Sequence, residues 1–222
     1  MPLPSRQSRE TTTRNDGVFR ILTVCSGNLC RSPQAEQLLR ARIPAAFGRT
    51  DIPALQVSSA GTKAFDDDPM DKLAVAEAVR LGIPDTAAHR ARRIREPHVE
   101  EADLILGMAR EHRAAATSLV PRANRRSFTL VEFARIVEAL AEGTVESSIA
   151  PLGDDGFAAF MRRVVDAAVT ARGMMPTPES PSELDVEDPY RLEPGVYRRS
   201  ADAVDAHVTC ISSGLRRLAS GR

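Results

Sequence analysis

The chain has 222 residues, 42% hydrophobic and 27% charged, with 30 acidic and 30 basic groups and no tryptophan. This is an ordinary soluble composition, long enough for one domain of about 150 residues plus extensions. A formal net charge of zero and 4% aromatic content argue against nucleic-acid binding, which draws on positive field and stacking platforms.

No apolar run approaches the roughly 18 residues of a membrane span, and the opening "MPLPSRQSRETTTRNDG" has no apolar signal core. Three cysteines are an odd number for a disulfide framework. These features predict a cytoplasmic chain with reduced thiols and no membrane insertion. Only Lys63 and Lys72 are lysines, which reads as compositional bias toward arginine.

Residues 1–16 are polar, lack periodicity and read as a disordered tail; residues 17–222 read as a single domain. Phe19 to Val24 is an apolar run that predicts a first buried strand. Ala35 to Arg42 reads as a helix with Leu38 and Leu39 inward. Ala54 to Ser58 is a second strand, ending at "SSAGT". Pro69 to Leu81 has helical spacing with Leu73, Ala76, Ala78 and Val79 as its apolar set, stopped by Gly82 with Pro84 beyond.

Asp103 to Met108 is a third strand, followed by the helix "AREHRAAATSL". Ser127 to Leu130 is a short fourth strand leading into "VEFARIVEALAE". Strands alternating with helices predict a four-stranded parallel sheet with helices on both faces. An insertion at about 142–183 then interrupts the pattern. It holds the loop Gly143 to Asp155, an extra helix presenting Phe157, Phe160, Val164, Val165 and Ala168 on one face, and the linker "GMMPTPESPSEL". A last helix follows, with Val204, Val208, Ile211 and Leu215 inward.

The chemistry concentrates at "TVCSGNLCRSPQAEQLL". Ligands of a parallel sheet sit at the carboxyl ends of its strands, near helix N-termini, and Cys25 stands at such an end. Residues Ser26, Gly27, Asn28, Leu29, Cys30 and Arg31 can curl so that successive N–H groups line an anion nest. Gly27 permits a positive φ and Asn28 tolerates one. Pro33 sits just inside the helix, where it needs no N–H partner. Arg31 supplies a planar fork for phosphate oxygens. This environment favours the Cys25 thiolate and predicts a pKa well below the free value of about 8.5. Ser32 can donate a hydrogen bond to it. The pattern is a nucleophile beneath a phosphate cradle, suited to a covalent phosphocysteine that water then hydrolyses.

The string Cys25-Ser-Gly-Asn-Leu-Cys-Arg-Ser-Pro33 resembles the signature of the low-molecular-weight protein tyrosine phosphatases. The resemblance covers residues 18–135 and 184–219. It implies Cys25 as nucleophile, Arg31 as the holder of the phosphoryl group, and Asn28 bracing the loop through Ser32, with Ser59 and His89 as supporting partners. It also implies a proton donor in an Asp-Pro-aromatic loop before the last helix. Asp188-Pro189-Tyr190 fits that place, whereas Asp67-Asp68-Pro69 does not. An aspartic acid there protonates the leaving oxygen and then serves as base for water. Leu29 and Tyr190 would form the substrate rim. Arg191 departs from the family, where many members have a second aromatic residue or glycine.

Relatives of the same scaffold imply alternatives. Phosphoarginine phosphatases carry threonine where this chain has Leu29, and apolar Leu29 suits an aromatic ester better. Arsenate reductases relay a disulfide through further cysteines on a mobile segment, and the region after "HRAR" has none. A phosphoprotein-binding role without turnover would follow if the insertion displaced Asp188. A reversible Cys25–Cys30 disulfide occurs in relatives, and Cys30 reads equally well as a small packing residue. Cys210 reads as core. His98, His112 and His207 show no metal spacing, and Arg90, Arg92, Arg93 and Arg95 read as a solvated basic face. The nest and Arg31 already supply positive charge, so no metal or other cofactor is expected. The expected partner is a phosphotyrosine-containing protein substrate.

Overall fold

The computed structural model describes residues 16–83 and 86–221. The predicted tail falls outside the described residues except for Asp16, as does Pro84. Four strands, β1 (Phe19–Cys25), β2 (Leu55–Gly61), β3 (Leu104–Gly107) and β4 (Ser127–Thr129), form one sheet in the order β2-β1-β3-β4. All three pairings are parallel. Parallel strands need crossovers, and helices supply them. Those helices are α1 (Arg31–Ala46), α2 (Lys72–Arg80), α3 (Glu96–Glu101), α4 (Arg110–Leu119), α5 (Leu130–Glu142), α6 (Gly156–Ala171) and α7 (Pro194–Ala219).

The sheet separates two hydrophobic layers. The larger gathers Phe19, Ile21, Leu104 and Phe128 from the strands with α1, α2, α5, α6 and α7. The smaller joins Leu22, Val24 and Ile105 to Val99 of α3, Ala116 of α4 and the short 3-10 turn that holds Ala123. Burial on both faces explains why β1 and β3 read as continuous apolar runs.

Local chemistry sets several boundaries. Asp71 caps α2 by accepting from the Leu73 and Ala74 N–H groups. Thr129 and Glu132 form a reciprocal capping box at the start of α5. Helix α1 begins at Arg31, four residues before the predicted start, and keeps Pro44 in its last turn. Helix α3 carries no clear signal in the sequence, because six residues are too few to show a helical period.

The inward face of α2 differs from expectation. Leu73 and Val79 are exposed, and Ala74 and Ala78 are buried. The helix lies against α7 and α1, and small side chains let it approach closely.

Helix α6 is part of the main core. Phe157, Phe160, Val164, Val165 and Ala168 are all buried. It packs on α5 and β1, and Phe157 meets Phe47 edge to face at 5.6 Å. Burying each such large apolar side chain contributes about 1.5–3 kcal/mol. Arg172, at its end, donates to the Ser127 carbonyl and Glu132 and covers the Phe128 ring at 3.9 Å. The chain then runs past α5 to the carboxyl ends of the strands.

Candidate active site

Strand β1 ends at Cys25, which is buried to 2% exposure. Residues 26–30 curl around its sulfur before α1 begins. Cys25 Sγ accepts the Asn28 backbone N–H at 3.2 Å and the Ser32 hydroxyl at 3.0 Å.

Asn28 is the hub of the loop. It is fully buried with φ 57°, and it alone among the loop residues lies in the left-handed region. Gly27 does not take the positive φ that its type permits. Asn28 takes it because its side chain is tied on every side. Nδ2 donates to Ser32 Oγ at 3.0 Å and to Ser59 Oγ at 2.8 Å. Oδ1 accepts the Arg92 N–H at 3.0 Å, and the backbone carbonyl accepts from His89 Nε2 at 2.8 Å. The structure therefore brings Ser32, Ser59 and His89 to one residue.

Two supports escaped the sequence reading. Arg92, expected on a solvated face, donates its N–H to Asn28 and its Nε–H to the Ser59 carbonyl at 2.8 Å. Its neighbours Arg90, Arg93 and Arg95 are exposed. Gly61 ends β2 against the loop, where a Cβ would lie 2.6 Å from the Ser26 carbonyl and 2.8 Å from the Asn28 nitrogen. The "AGT" at a strand end was the available signal for it. The next residues hold the loop from outside. Thr62, Lys63 and Asp71 donate their N–H groups to the carbonyls of Cys25, Ser26 and Leu29. Phe65, on this wrapping segment, is 79% exposed with no apolar cover.

Arg31 is buried to 3% exposure at the first position of α1. Its Nη1 donates to the Val186 carbonyl at 3.0 Å, and its Nη2 pairs with Asp188 and lies 3.5 Å from Ser26 Oγ. Its Nε is buried without a partner. A buried guanidinium N–H left unpaired at a helix N-terminus is a donor waiting for an anion.

The acid segment is docked at several points. Asp185 accepts the Arg110 N–H at 2.8 Å and pairs with the Arg110 guanidinium. Val186 donates its N–H to the Met108 carbonyl at 2.8 Å, just past β3. Ser200 of α7 donates to the Glu187 carbonyl at 2.9 Å. Asp188 Oδ1 accepts the Tyr190 N–H, and Arg191 takes a positive φ of 63° with its guanidinium 5.1 Å from the Tyr190 ring. Tyr190 is 43% exposed. Asp188 is thus held beside Arg31.

The remaining candidates are distributed as follows. Leu29 is half-buried beside Gly27. Cys30 is buried and free, its thiol pushed up chiefly by burial and by Asp71. Cys210 is half-buried and reaches the Ala134 carbonyl at 3.6 Å. No helix among the described residues is long and apolar enough to cross a membrane.

Residues 20–166 match the family model of the low molecular weight phosphotyrosine protein phosphatase. The chain belongs to this family. It is 33% identical over 115 residues to a "Protein-arginine-phosphatase" of Geobacillus stearothermophilus, covering 52% of this chain and 71% of that one. It is 37% identical over 101 residues to "Low molecular weight protein-tyrosine-phosphatase Etp" of Escherichia coli K12, covering 46% of this chain and 62% of that one. Among solved structures, the low molecular weight protein tyrosine phosphatase of T. tengcongensis superposes with a TM-score of 0.58 at 27% identity. That superposition covers 87% of this chain and 97% of the other. The family match ends within α6, so Asp188 lies beyond it. Its place beside Arg31 comes from the tertiary structure alone.

Proposed function

We propose that this chain hydrolyses phosphotyrosine monoesters in proteins through a phosphocysteine intermediate. The observation that carries the reading is the convergence of Cys25 Sγ, the unpartnered Arg31 Nε and Asp188 at one helix N-terminus. The phosphoryl group would sit on residues Ser26 to Arg31, with its oxygens on backbone N–H groups and on the Arg31 guanidinium. Binding replaces the Asp188 carboxylate as the partner of Nη2, and the freed carboxylate takes the proton that the phosphate monoanion brings and turns toward the leaving oxygen.

Cys25 Sγ then attacks phosphorus. The S–P bond forms as the P–O bond to tyrosine breaks, and Asp188 gives its proton to that oxygen. In the second step the Asp188 carboxylate takes a proton from water, the water oxygen bonds to phosphorus, and the thiolate leaves. Ser32, already donating to Sγ, stabilises that thiolate. Leu29, Phe65 and Tyr190 offer apolar surface for the aromatic ring. The three free cysteines suit a reducing compartment, and we place the chain in the cytoplasm.

The similarity to a protein named for arginine phosphatase activity supports phosphoarginine as a second substrate class. The experiment measures phosphate release, without added metal, from a phosphotyrosine peptide and a phosphoarginine peptide, using wild type and Cys25→Ser. Turnover of the first that vanishes in Cys25→Ser is the expected result. Faster turnover of phosphoarginine would move the assignment to that class. Tight peptide binding by an inactive wild type would make the chain a phosphoprotein binder.

A further inference from the structure

His112, on α4, is exposed to 1% and carries an unsolved cost: its Nδ1 is buried with no hydrogen-bond partner. An apolar residue would relieve that cost if the position were only structural. The other nitrogen, Nε2, lies 3.0 Å from Ser26 Oγ, with Glu111 Oε1 at 3.4 Å. Ser26 follows the proposed nucleophile, and its Oγ lies 3.5 Å from Arg31 Nη2.

The fold is built to bring this ring close. At Gly107, the end of β3, a Cβ would come within 2.8 Å of the Arg113 nitrogen and 3.3 Å of the His112 Cβ. Only glycine lets the first turn of α4 press against the strand end.

We propose that His112 is a positioning residue for the phosphate site, anchoring the Ser26 hydroxyl, which in turn holds the Arg31 guanidinium at the mouth of the cradle. The inference rests on the phosphatase reading above. Either tautomer keeps the contact: Nε2 accepts the Ser26 proton, or Nε2–H donates to Oγ and the hydroxyl proton faces the cradle.

The charged groups around the ring are Arg31 from α1, Asp185 from the acid segment, Lys63 from the stretch after β2 and Glu111 on its own helix. Burial and then Arg31 hold the His112 pKa down at about 4, against the opposing pull of Asp185. An uncharged ring takes Ser26 without repelling the guanidinium.

The test measures kcat and KM on an aryl phosphate, inorganic phosphate affinity by calorimetry, and Tm. The proteins are wild type, His112→Leu, His112→Gln, Ser26→Ala and the His112→Leu/Ser26→Ala double variant. We expect His112→Leu to lower kcat/KM about tenfold and to weaken phosphate binding, with His112→Gln restoring most of both. The double variant should be no worse than the poorer single one, because both residues act along one chain.

Wild-type kcat/KM and phosphate affinity in His112→Leu would overturn the proposal. So would losses that multiply in the double variant, or a loss that follows Tm and is not relieved by glutamine. Should wild type bind phosphate without cleaving the ester, the phosphatase reading falls. Weakened phosphate binding in His112→Leu would then still support the role of His112, and unchanged binding would reject it.

Discussion

The Cys25 loop and the Asp188 segment reach the same point by different routes. Residues 25–32 are contiguous, and part of their geometry comes from their own turn: the sulfur accepts from Asn28 and Ser32, three and seven residues away, while Ser59, His89 and Arg92 hold Asn28 from outside. The acid segment is held by distant partners, namely Arg110 on α4, the Met108 carbonyl after β3 and Ser200 on α7. Helix α6 and its linker intervene here, and Asp188 still meets Arg31.

Substitutions that strike one region and spare the other sharpen this contrast. Asp188→Asn keeps the segment's shape and removes the proton. It should lower kcat by about a hundredfold or more while leaving the rate of Cys25 alkylation by iodoacetate near wild type. A matching fall in alkylation would show that the two regions are one unit.

Asn28→Ala strikes the contiguous loop. It strips Arg92, Ser59 and Ser32 of their shared partner and leaves alanine at φ 57°. We expect about 3 kcal/mol of lost stability by denaturant titration and a fall of up to about a hundredfold in kcat/KM. Unchanged stability would mean that the loop holds its shape without its hub.

Asp185→Asn is milder. It keeps one acceptor for the Arg110 N–H and removes the ion pair, 25% exposed on the aspartate side, so screening limits its worth. A drop of about tenfold in kcat, with KM and thiol reactivity unchanged, is expected if docking alone presents Asp188.

The last test concerns pH. The folded pKa of His112, about 4, lies below its ordinary value of 6.5, so between these values the unfolded chain binds the extra proton. Stability from this residue is therefore full above pH 6.5 and falls as pH drops toward 4, by up to roughly 3 kcal/mol. His112→Gln should remove that part of the slope in melting temperature against pH, and an unaltered slope would assign the acid sensitivity elsewhere.

What could be read in advance follows the range of the interactions. Val24 to Pro33 is legible as a strand end and a tight turn into a helix, because neighbouring residues set turn chemistry. The apolar stripes of α6 and α7 are legible because burial imposes a period. The face of α2 is legible only at Ala78, because apolar residues surround that helix, and only its packing against α7 and α1 turns Ala74 inward and leaves Leu73 and Val79 exposed.

Gly61, Arg92 and His112 are ordinary residues in the chain. Each acquires its place through a partner 30 to 90 positions away, a separation at which residue type carries no address. The strand-to-helix turn that carries Cys25 and Arg31 was thus readable in the sequence itself, because its residues are contiguous. The meeting of Asp188 with Arg31 was decided only in three dimensions, because a carboxylate 157 residues along the chain reaches its site through packed strands and helices, not through local propensity.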